Sequence, residues 1–589
     1  MLVVLLALAV VPTDLDLSWT GVDSSTTSGV STIASDIAGI ATDGTTTGET
    51  APSTTRAGTT ITRLEPAPAS TTTTPARPLD TITVAVPAGV TTFDPDAAAG
   101  GRDLDMLANL YSGLTRRVLE PSAVLAGVYR WSPTEVEPDL AESIDISGDG
   151  TVYTFHVRRD LEFPGGHALR AHDFAYAWER ALALAASGAP PGATVAGLAT
   201  AGVYSMSQVE VVDDHTLRVT LPRSNPRILR VMAMGVMSAV DSILLRSQAT
   251  EADPWATAYA RHNPSGYGPY ILVDREAGQM TLEPYEGWWD QRTAGRSRIS
   301  YQVVSEEARR LQLVQEGTVD LAHGMSTTGA GEAGSSVRVI DLESAGQRFL
   351  VFDRTEPPFD DPRVRQAVAW ALDYNRIKQE VYEGRARIPT GFLPAGLEGS
   401  DGTWLYSQDI GQARTLLAEA GHADGSAVEL LVPLDLPEAE ALAERIRSDL
   451  ELAGIDLVPW PIEGRHLPVA IRLGGATFDL AIVACGSWLQ EAWYASRQLA
   501  EVTPACPTSF MHPEVDQLLD EIEQAPTADA AAALAGRIQD IWAQEAAFVP
   551  LGGPDQIEVL GQEVSGFVLT NEDDALYFPL LQRGSATTQ

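Results

Sequence analysis

The sequence predicts an α/β protein with mixed sheets, because strand and helix signals alternate along most of its length. Polar and apolar residues alternate over Thr81–Val86, a strand pattern that Pro-Ala-Gly ends. Strand signals also cover Thr151–Arg158 and Val209–Leu221, and the second of these forms a hairpin that turns at Asp213 and Asp214.

Two segments carry clear start and stop signals for helices. Either Asp360 or Asp361 caps the first helix, whose apolar residues recur at helical spacing until Gly384 ends it. The second helix begins after Asp409 and ends at Gly421. These helices stand between the strands, as the α/β class requires.

Length and charge exclude several classes of protein. A chain of 589 residues needs several lobes, at roughly 100–200 residues each. The formal net charge is −39, and Lys378 is the single lysine, so we expect no nucleic-acid partner, which would need a basic surface. His167 and His172 are the nearest approach to a metal motif, but two histidines five positions apart in a loop are typical of solvated side chains. We therefore expect no metal and no cofactor.

The N-terminal part indicates export. Residues 1–23 contain the apolar run Leu2–Val11, which is too short to span a bilayer but fits the core of a secretion signal. A strand-like start of the mature protein is the alternative. Residues 24–78 are rich in Thr, Ser and Pro and predict a disordered stalk. The expected location is extracytoplasmic: cell surface, periplasm or secreted.

Six segments, taken in order, resemble family 5 of the solute-binding proteins of ABC importers, the peptide- and nickel-binding type. The segment Leu140–Leu182 is similar to the family pattern through Phe155, Arg158, Phe163, Gly166, Leu169, Ala171, Asp173 and Arg180. Further similar segments are "NPSGYGPYILVDREAGQMTLEPYEGWWD", "EEARRLQLVQEGTVDLA", "EPPFDDPRVRQAVAWALDYNRI", "DLELAGIDL" and "FDLAIVACGSW". The resemblance spans roughly Leu79 to Gln582.

The resemblance implies a two-lobed periplasmic-binding-protein-like type II fold with an extra subdomain inserted in the first lobe. The first lobe would cover residues 79–346, with the insertion at about 120–209, and the second lobe residues 347–549. Residues 550–589 would return to the first lobe and form the C-terminal tail.

The implied function is capture, without bond chemistry, of a peptide or other small solute in the cleft between the lobes. The protein would deliver the solute to the permease subunits of an ABC transporter, and we expect it to act as a monomer. Peptide-binding members hold the ligand's ammonium group with an aspartate in a "W..DYpDP" pattern. Aligned from Phe478, the family tryptophan falls at Cys485, the anchoring aspartate at Trp488 and the second acid at Glu491. The indole of Trp488 in place of the anchoring aspartate indicates a ligand whose end is apolar, aromatic or sugar-like. Alternatively, Glu491 binds the ammonium group in place of that aspartate.

The two cysteines, Cys485 and Cys506, lie 21 positions apart across this loop, and export favours a disulfide between them. Alternatively, Cys506 would be a nucleophile with His512 as its base, but no third orienting group is evident. Trp488 and Trp493 line the pocket or fill the core, and the sequence leaves both interpretations open.

Four more pocket candidates follow from the resemblance alone: Tyr111, Tyr267, Arg348 and Phe352. Taken singly, each of these residues fits a structural role better than ligand contact.

Two other functions stay open. A stalked surface sensor or adhesive domain would reuse the fold without transport, and the long Thr-rich segment fits it. A secreted hydrolase would need a motif such as GxSxG, HExxH or a P-loop, and the sequence contains none of these. We therefore expect that the protein is not an enzyme.

Overall fold

The structure is a computed structural model, and its described residues all lie within Thr72–Gln589. It describes residues 80–98, 101–122, 125–187, 192–225, 227–342, 346–393, 399–400, 404–423, 426–434, 436–473, 478–485, 496, 499–500, 502–503, 506–508, 510, 512–523, 525, 528–569 and 575–584.

The first large sheet has seven strands in the order β12-β21-β11-β1-β10-β9-β8. Their bounds are β1 Thr81–Val86, β8 Tyr270–Glu276, β9 Gln279–Pro284, β10 Arg298–Val303, β11 Leu321–Met325, β12 Val337–Leu342 and β21 Gln556–Gly561. β1 runs parallel to β10 and β11, and β21 runs antiparallel to β11 and β12. The predicted strand Thr81–Val86 is confirmed with the same bounds.

The second large sheet has six strands in the order β14-β20-β13-β17-β15-β16. They are β13 Gln347–Phe352, β14 Ala386–Arg387, β15 Ser426–Pro433, β16 Ile455–Ile462, β17 Leu480–Cys485 and β20 Val549–Pro554. β15 runs parallel to β16 and β17, whereas β13 runs antiparallel to β17 and β20. The sheet therefore mixes both directions, as the α/β prediction requires.

The described residues also form smaller sheets. β4 Ala141–Ile146, β5 Val152–Val157, β6 Val209–Asp213 and β7 Thr216–Thr220 form a four-stranded sheet, which confirms the predicted hairpin. β2 Thr115–Pro121, β3 Val128–Pro138 and β23 Phe567–Leu569 form a three-stranded sheet. Two-stranded pairs join β18 Val502–Thr503 to β19 Cys506–Pro507, and β22 Val564–Ser565 to β24 Gln582–Arg583.

The helices pack on these sheets. They are α1 Arg102–Leu110, α2 Ala171–Ala186, α3 Ala193–Ala201, α4 Ile228–Val231, α5 Ser242–Gln248, α6 Thr257–Ala260, α7 Glu307–Gln315, α8 Thr327–Gly331, α9 Pro362–Ala371, α10 Tyr374–Arg376, α11 Ile410–Glu419, α12 Ala439–Ala453, α13 Leu467–Leu473, α14 Pro513–Glu523 and α15 Ala528–Glu545. A π-helical turn at Ile377–Val381 follows α10 directly. Short 3-10 turns occur at Met206–Gln208, Gly235–Met237 and Gly464–His466.

The prediction of one continuous helix from Asp361 to Gly384 is wrong, because the structure divides this segment into shorter elements. Asp361 caps it as expected, by accepting a hydrogen bond from the backbone N–H of Arg363 at 2.8 Å. The backbone is extended at the buried residue Leu372, which ends the first helix. Asp373 then caps a new helical turn, because its side chain accepts a hydrogen bond from the backbone N–H of Arg376 at 3.0 Å. An aspartate that competes for backbone N–H groups restarts the helix here. The second predicted helix is confirmed, because Asp409 caps α11 and Gly421 has φ 90°.

The sheets show how the chain is divided between the lobes. β20 runs to Pro554 within the second sheet, and the chain re-enters the first sheet at Gln556. The four-stranded sheet extends from Ala141 to Thr220, whereas the insertion was expected at about 120–209. The lobe boundaries at single-residue precision remain a proposal.

Cys485 at the end of β17 and Cys506 in β19 form a disulfide, as the sequence predicted. Both cysteines are buried and pack in one apolar cluster of the second lobe with Phe349 and Trp542. The bridge joins the two ends of residues 486–505.

We expect that replacing both cysteines, Cys485→Ala with Cys506→Ala, lowers the free energy of unfolding by about 3 kcal/mol. A loop of this length loses roughly that much chain entropy in the unfolded state when it is bridged. Urea unfolding of oxidised and reduced wild type measures the same difference. Alkylation of both thiols in unreduced, denatured protein would contradict the bridge.

Three aspartates of the first lobe have pKa values raised to about 6: Asp105 and Asp139, which are buried, and Asp96, whose side chain is 11% exposed. Burial is the largest cause for each, and it outweighs nearby arginines. Asp96 accepts a hydrogen bond from Arg180 Nη1 at 2.9 Å, and the same arginine binds Asp94. At neutral pH these three aspartates are therefore ionised, and removing their charges from water on folding costs free energy.

We expect Asp96→Asn to gain stability relative to wild type as the pH rises from about 4 to about 6. In that window native Asp96 still binds a proton that the unfolded chain has released, so wild-type stability from this group falls with rising pH. Urea unfolding at pH 4, 5 and 6 measures the difference between the two proteins. A difference that stays flat or reverses would contradict the raised pKa.

Candidate functional site

The carboxyl ends of the parallel strands in the first sheet lie along one edge. β1 ends at Val86, β10 at Val303 and β11 at Met325. β12 runs in the same direction and ends at Leu342, and antiparallel β21 begins at Gln556 on the same edge. In open α/β sheets, ligands bind outside the carboxyl ends of the strands. This edge is therefore the candidate surface of the first lobe.

The second sheet presents a matching edge. β15 ends at Pro433, β16 at Ile462 and β17 at Cys485. Antiparallel β13 begins there, because Gln347 pairs with Cys485, and β20 ends there at Pro554. The disulfide therefore lies at this edge.

Two short crossovers join the two edges and make them face each other. Residues 343–346 lead from β12 to β13, and Asp555 alone separates β20 from β21. A side chain at Gly553 of β20 would place its Cβ 2.8 Å from the carbonyl oxygen of Gly346, the residue before β13, so glycine is needed at 553 where these two strands approach the crossovers. The space between the edges is the candidate binding cleft.

A segment of the second lobe also reaches the first lobe beside the crossovers. Arg385 accepts a hydrogen bond on its carbonyl oxygen from Asp555 N at 3.0 Å. Its guanidinium forms an ion pair with Asp341 of β12. This segment braces one crossover.

On the second lobe, the charged pair Arg348 and Glu438 lies at the cleft edge. Arg348 is the second residue of β13, and its Nε donates to Glu438 Oε1 at 2.5 Å. Glu438 follows β15 and precedes α12. The two side chains are 18% and 16% exposed, so they are partly screened from water yet open to a ligand.

Tyr382 lies near this pair and is buried. Its hydroxyl has no hydrogen-bond partner among the described residues. Burial raises the pKa of Tyr382, while Arg348 lowers it and Glu438 raises it further. The guanidinium of Arg348 and the carboxylate of Glu438, which are partly exposed, can bind a ligand that carries both charges.

On the first lobe, two side chains fix the loops at the cleft edge. Buried Arg310 donates to the carbonyl oxygens of Val304 at 2.8 Å and Gly324 at 2.8 Å. Glu307 Oε1 accepts from both the backbone N–H and the hydroxyl of Ser326, at 2.6 and 2.8 Å. The loops after β10 and β11 are therefore held in place before a ligand arrives, which lowers the entropy cost of binding.

Three of the predicted pocket residues lie within packed cores. Tyr111 is 3% exposed; its hydroxyl donates to Phe93 O at 2.7 Å and accepts from Ser265 N at 3.0 Å. Tyr267 is fully buried and donates to Gly287 O at 2.7 Å. Phe352 lies at the end of β13 away from Gln347. Ligand contact by these three residues stays a prediction.

Trp488, Glu491 and Trp493 lie outside the described residues. In the sequence they follow Cys485, which the structure places at the cleft edge. Their role in ligand binding stays a prediction.

Glu438 is a candidate site residue that the sequence reasoning missed. Glu438 follows the strand pattern of β15, and an acid just beyond the carboxyl end of a strand is a signal that could have been used. No local signal links it to Arg348, which is 90 positions away.

Among the described residues, no group of three or more His, Cys, Asp and Glu side chains could hold a metal ion. His167 Nδ1 contacts Asp241 at 2.8 Å, whereas His172 Nε2 contacts Arg246 at 3.2 Å. The two histidines of the loop therefore have separate partners. In the part of the chain that the structure describes, no helix is long and apolar enough to cross a membrane.

Known proteins share this architecture. A solved periplasmic binding protein from Helicobacter pylori, in complex with the peptide STSA, matches with a TM-score of 0.70 at 21% identity and covers 85% of this chain and 98% of its own. A dipeptide-binding protein from Pseudoalteromonas, in complex with Met-Leu, matches with a TM-score of 0.73 at 18% identity, over 86% of this chain and 100% of its own. The predicted two-lobed fold of the type II periplasmic binding proteins is confirmed.

Relatives are also found by sequence. Heme-binding protein A of Haemophilus influenzae is 28% identical over 355 residues, which cover 56% of this chain and 63% of the length of that protein. The dipeptide-binding protein DppE of Bacillus subtilis is 24% identical over 507 residues, or 81% of this chain and 87% of its own length.

The family model described as "Bacterial extracellular solute-binding proteins, family 5 Middle" matches residues 135–503, which is more than half of the chain. This range includes the four-stranded sheet, both charged residues of the cleft edge and the first residue of the disulfide. The chain belongs to the family 5 solute-binding proteins, as its sequence motifs predicted.

Proposed function

We propose that this protein captures a short peptide in the cleft between its lobes and delivers it to an ABC-type membrane transporter. The observation that carries the proposal is the pair of facing strand edges, joined by two short crossovers, with Arg348 and Glu438 at the second. A ligand that contacts both edges stabilises the closed arrangement, and closure signals that the site is occupied.

The relatives favour a peptide over other solutes. Solved proteins with this fold hold the peptides STSA and Met-Leu, and DppE is named for dipeptide binding. Other relatives take different ligands, including one solved with mannopinic acid. The fold therefore supports capture of a small solute, and the residues of the cleft decide which one.

Charge at the cleft edge supports a zwitterionic ligand. The Arg348 guanidinium can donate to a peptide carboxylate, and the Glu438 carboxylate can accept from a peptide ammonium group. We propose that these residues, with Glu491, take over from the family's anchoring aspartate. Trp488 and Trp493 would then contact an apolar or aromatic side chain of the ligand.

The proposed setting is extracytoplasmic, with permease subunits as the partner and no nucleic acid. The family is one of binding proteins, and absence of catalysis stays a prediction for this chain. The net charge of −39 supports a surface that repels phosphate backbones. We propose that the protein acts as a monomer, because one chain supplies both edges of the cleft.

A stalked surface sensor is the second candidate. The Thr-, Ser- and Pro-rich residues 24–78 favour it, because such a composition predicts a spacer. The sensor would use the same cleft and the same closure but would lack a permease partner.

The test of the proposed function is identification of the ligand that the protein retains. The full chain is purified without added solute and unfolded, and the released small molecules are analysed by mass spectrometry. We expect a short peptide at close to one equivalent. Protein that releases no peptide, and also binds none from a mixture of di- to pentapeptides, would contradict peptide capture.

We expect Arg348→Ala to weaken binding of that peptide by about tenfold or more. Loss of a charge-assisted hydrogen bond costs roughly 1.5–3 kcal/mol, and each 1.4 kcal/mol is tenfold in affinity. Titration calorimetry measures the affinity, with circular dichroism as the check on folding.

Arg218→Ala is the matched control, because it removes an arginine that pairs with Glu210 on the exposed face of β7. It should leave peptide affinity unchanged. Equal affinities in wild type and Arg348→Ala would exclude Arg348 as a ligand contact.

A further inference from the structure

The first lobe contains a cavity of about 120 Å³ between α1, the β2–β3 hairpin and residues 233–238. An apolar cavity of roughly 150 Å³ binds benzene, so this cavity is close to the size that holds one aromatic ring. Ala108, Trp131 and Met234 line it and are partly exposed, so the cavity opens to the surface of the lobe.

This cavity lies away from the peptide cleft. Pro269 lines it and directly precedes β8. Tyr270, the first residue of β8, lies at the amino-terminal end of β10, because its hydroxyl donates to Ser297 O at 3.0 Å. The cleft edge is at the other end of β10, at Val303, and a strand of this length spans roughly 15 Å or more. The cavity and the cleft are therefore at opposite edges of the first sheet.

Aromatic side chains form much of the cavity wall. Trp131 and Tyr577 meet edge to face, with ring centroids 5.0 Å apart. The Trp288 indole N–H donates to Thr293 Oγ1 at 3.2 Å, and the hydroxyl of Tyr111 is bonded within the core of the lobe. The polar groups of Trp288 and Tyr111 thus have partners in the protein, and their rings are left to contact a ligand.

Aliphatic side chains complete this apolar wall. They come from α1 and from the loops that precede α5 and β8: Leu104, Leu107, Met234, Val236 and Pro269. Ligand pockets in proteins are lined mainly by apolar and aromatic side chains. An aromatic ligand gains from burial in such a wall and also from edge-to-face or offset contacts with its rings.

Two opposite charges in the wall are paired, which disfavours an ionic ligand. Arg116 donates to Asp290 Oδ2 at 2.5 Å and to Glu137 Oε1 at 2.8 Å. Arg116 Nη1 also lies 3.9 Å from Asp139 Oδ1, which accepts from the Trp289 indole at 3.0 Å. A cation in the cavity would be repelled by Arg116 and an anion by Asp139, whereas an uncharged ligand avoids both costs.

We propose that this cavity binds a small uncharged aromatic molecule, with its ring against Trp131, Trp288 and Tyr577. The site is separate from the cleft and does not depend on the identity of the peptide. It adds a second ligand class to the protein.

Three probes with the same ring test the proposal on the full chain: benzyl alcohol, benzylammonium chloride and sodium benzoate. Saturation-transfer NMR detects binding, and titration gives the dissociation constants. We expect benzyl alcohol to bind at least tenfold more tightly than either ion. Benzoate also tests Arg117, which lines the cavity and would attract an anion. Absence of benzyl alcohol binding, or equal or tighter binding of either ion, would overturn the proposal.

A saturated probe of the same size tests whether the aromatic ring matters. Cyclohexylmethanol lacks the ring contacts, which contribute roughly 0.5–1.5 kcal/mol beyond burial, so we expect it to bind at least twofold more weakly than benzyl alcohol. Equal or tighter binding of cyclohexylmethanol would contradict an aromatic ligand.

Two variants locate the site. Ala108 lines the cavity from α1, and Ala108→Leu fills it with a side chain that suits a helix, so benzyl alcohol binding should weaken at least tenfold. Ala418→Leu makes the same change at an exposed position of α11 in the second lobe and should leave binding unchanged. If Ala108→Leu fails to fold by circular dichroism, Ala233→Leu fills the cavity from its other side. Unchanged binding in a folded cavity variant would place the ligand elsewhere.

Competition separates this site from the cleft. A saturating mixture of di- to pentapeptides should leave the affinity for benzyl alcohol unchanged, because the two ligands occupy opposite edges of the first sheet. Displacement of benzyl alcohol by the peptides would place it in the cleft and overturn the assignment.

Discussion

The shortness of the two crossovers between the large sheets is the constraint on which the site depends. β12 ends at Leu342 and β13 begins at Gln347, whereas Asp555 alone separates β20 from β21. A chain covers at most about 3.3–3.6 Å per residue, so the two strand edges cannot move far apart beside the crossovers. Gly553 of β20 lies close to the Gly346 carbonyl that precedes β13, so the two strands approach each other closely beside the crossovers. The cleft is a direct consequence of this connection.

The same constraint explains how a binding signal arises. Arg348 and Glu438 lie on the second edge close to the crossovers, and Arg310 and Glu307 hold the loops of the first edge. A ligand between the edges replaces water at both and favours the closed arrangement. A shift of the ratio of closed to open protein from 1:99 to 99:1 needs a ligand that binds the closed form more tightly by about 5.5 kcal/mol. A few charge-assisted hydrogen bonds and buried apolar contacts can supply this difference.

Local patterns in the sequence predicted the strands and helices that neighbouring residues determine. Alternation over Thr81–Val86 and the cap at Asp409 act through neighbouring residues, and both predictions were confirmed. The break at Leu372 was missed because a buried leucine fits the helical pattern equally well, and the restart depends on Asp373. The family motifs predicted the two-lobed fold, since they record which segments pack together.

Contacts between distant residues could not be predicted in this way. The hydroxyl of Tyr111 binds Phe93 and Ser265, the latter 154 positions away, and no local pattern in the sequence indicates these contacts. The pairing of Arg348 with Glu438 likewise depends on the register of β13, β17 and β15. The disulfide was predictable because only two cysteines are present, so one pairing exists.

Closure of the lobes on a ligand is the central claim, and single-molecule energy transfer between them tests it most directly. Cysteines introduced by Asp145→Cys on β4 and Leu452→Cys on α12 carry the dyes, since both positions are exposed and one lies in each lobe. We predict that a mixture of di- to pentapeptides shifts the population to one state of higher transfer efficiency. An unchanged distribution at saturating peptide, in protein shown by mass spectrometry to have bound it, would contradict the account.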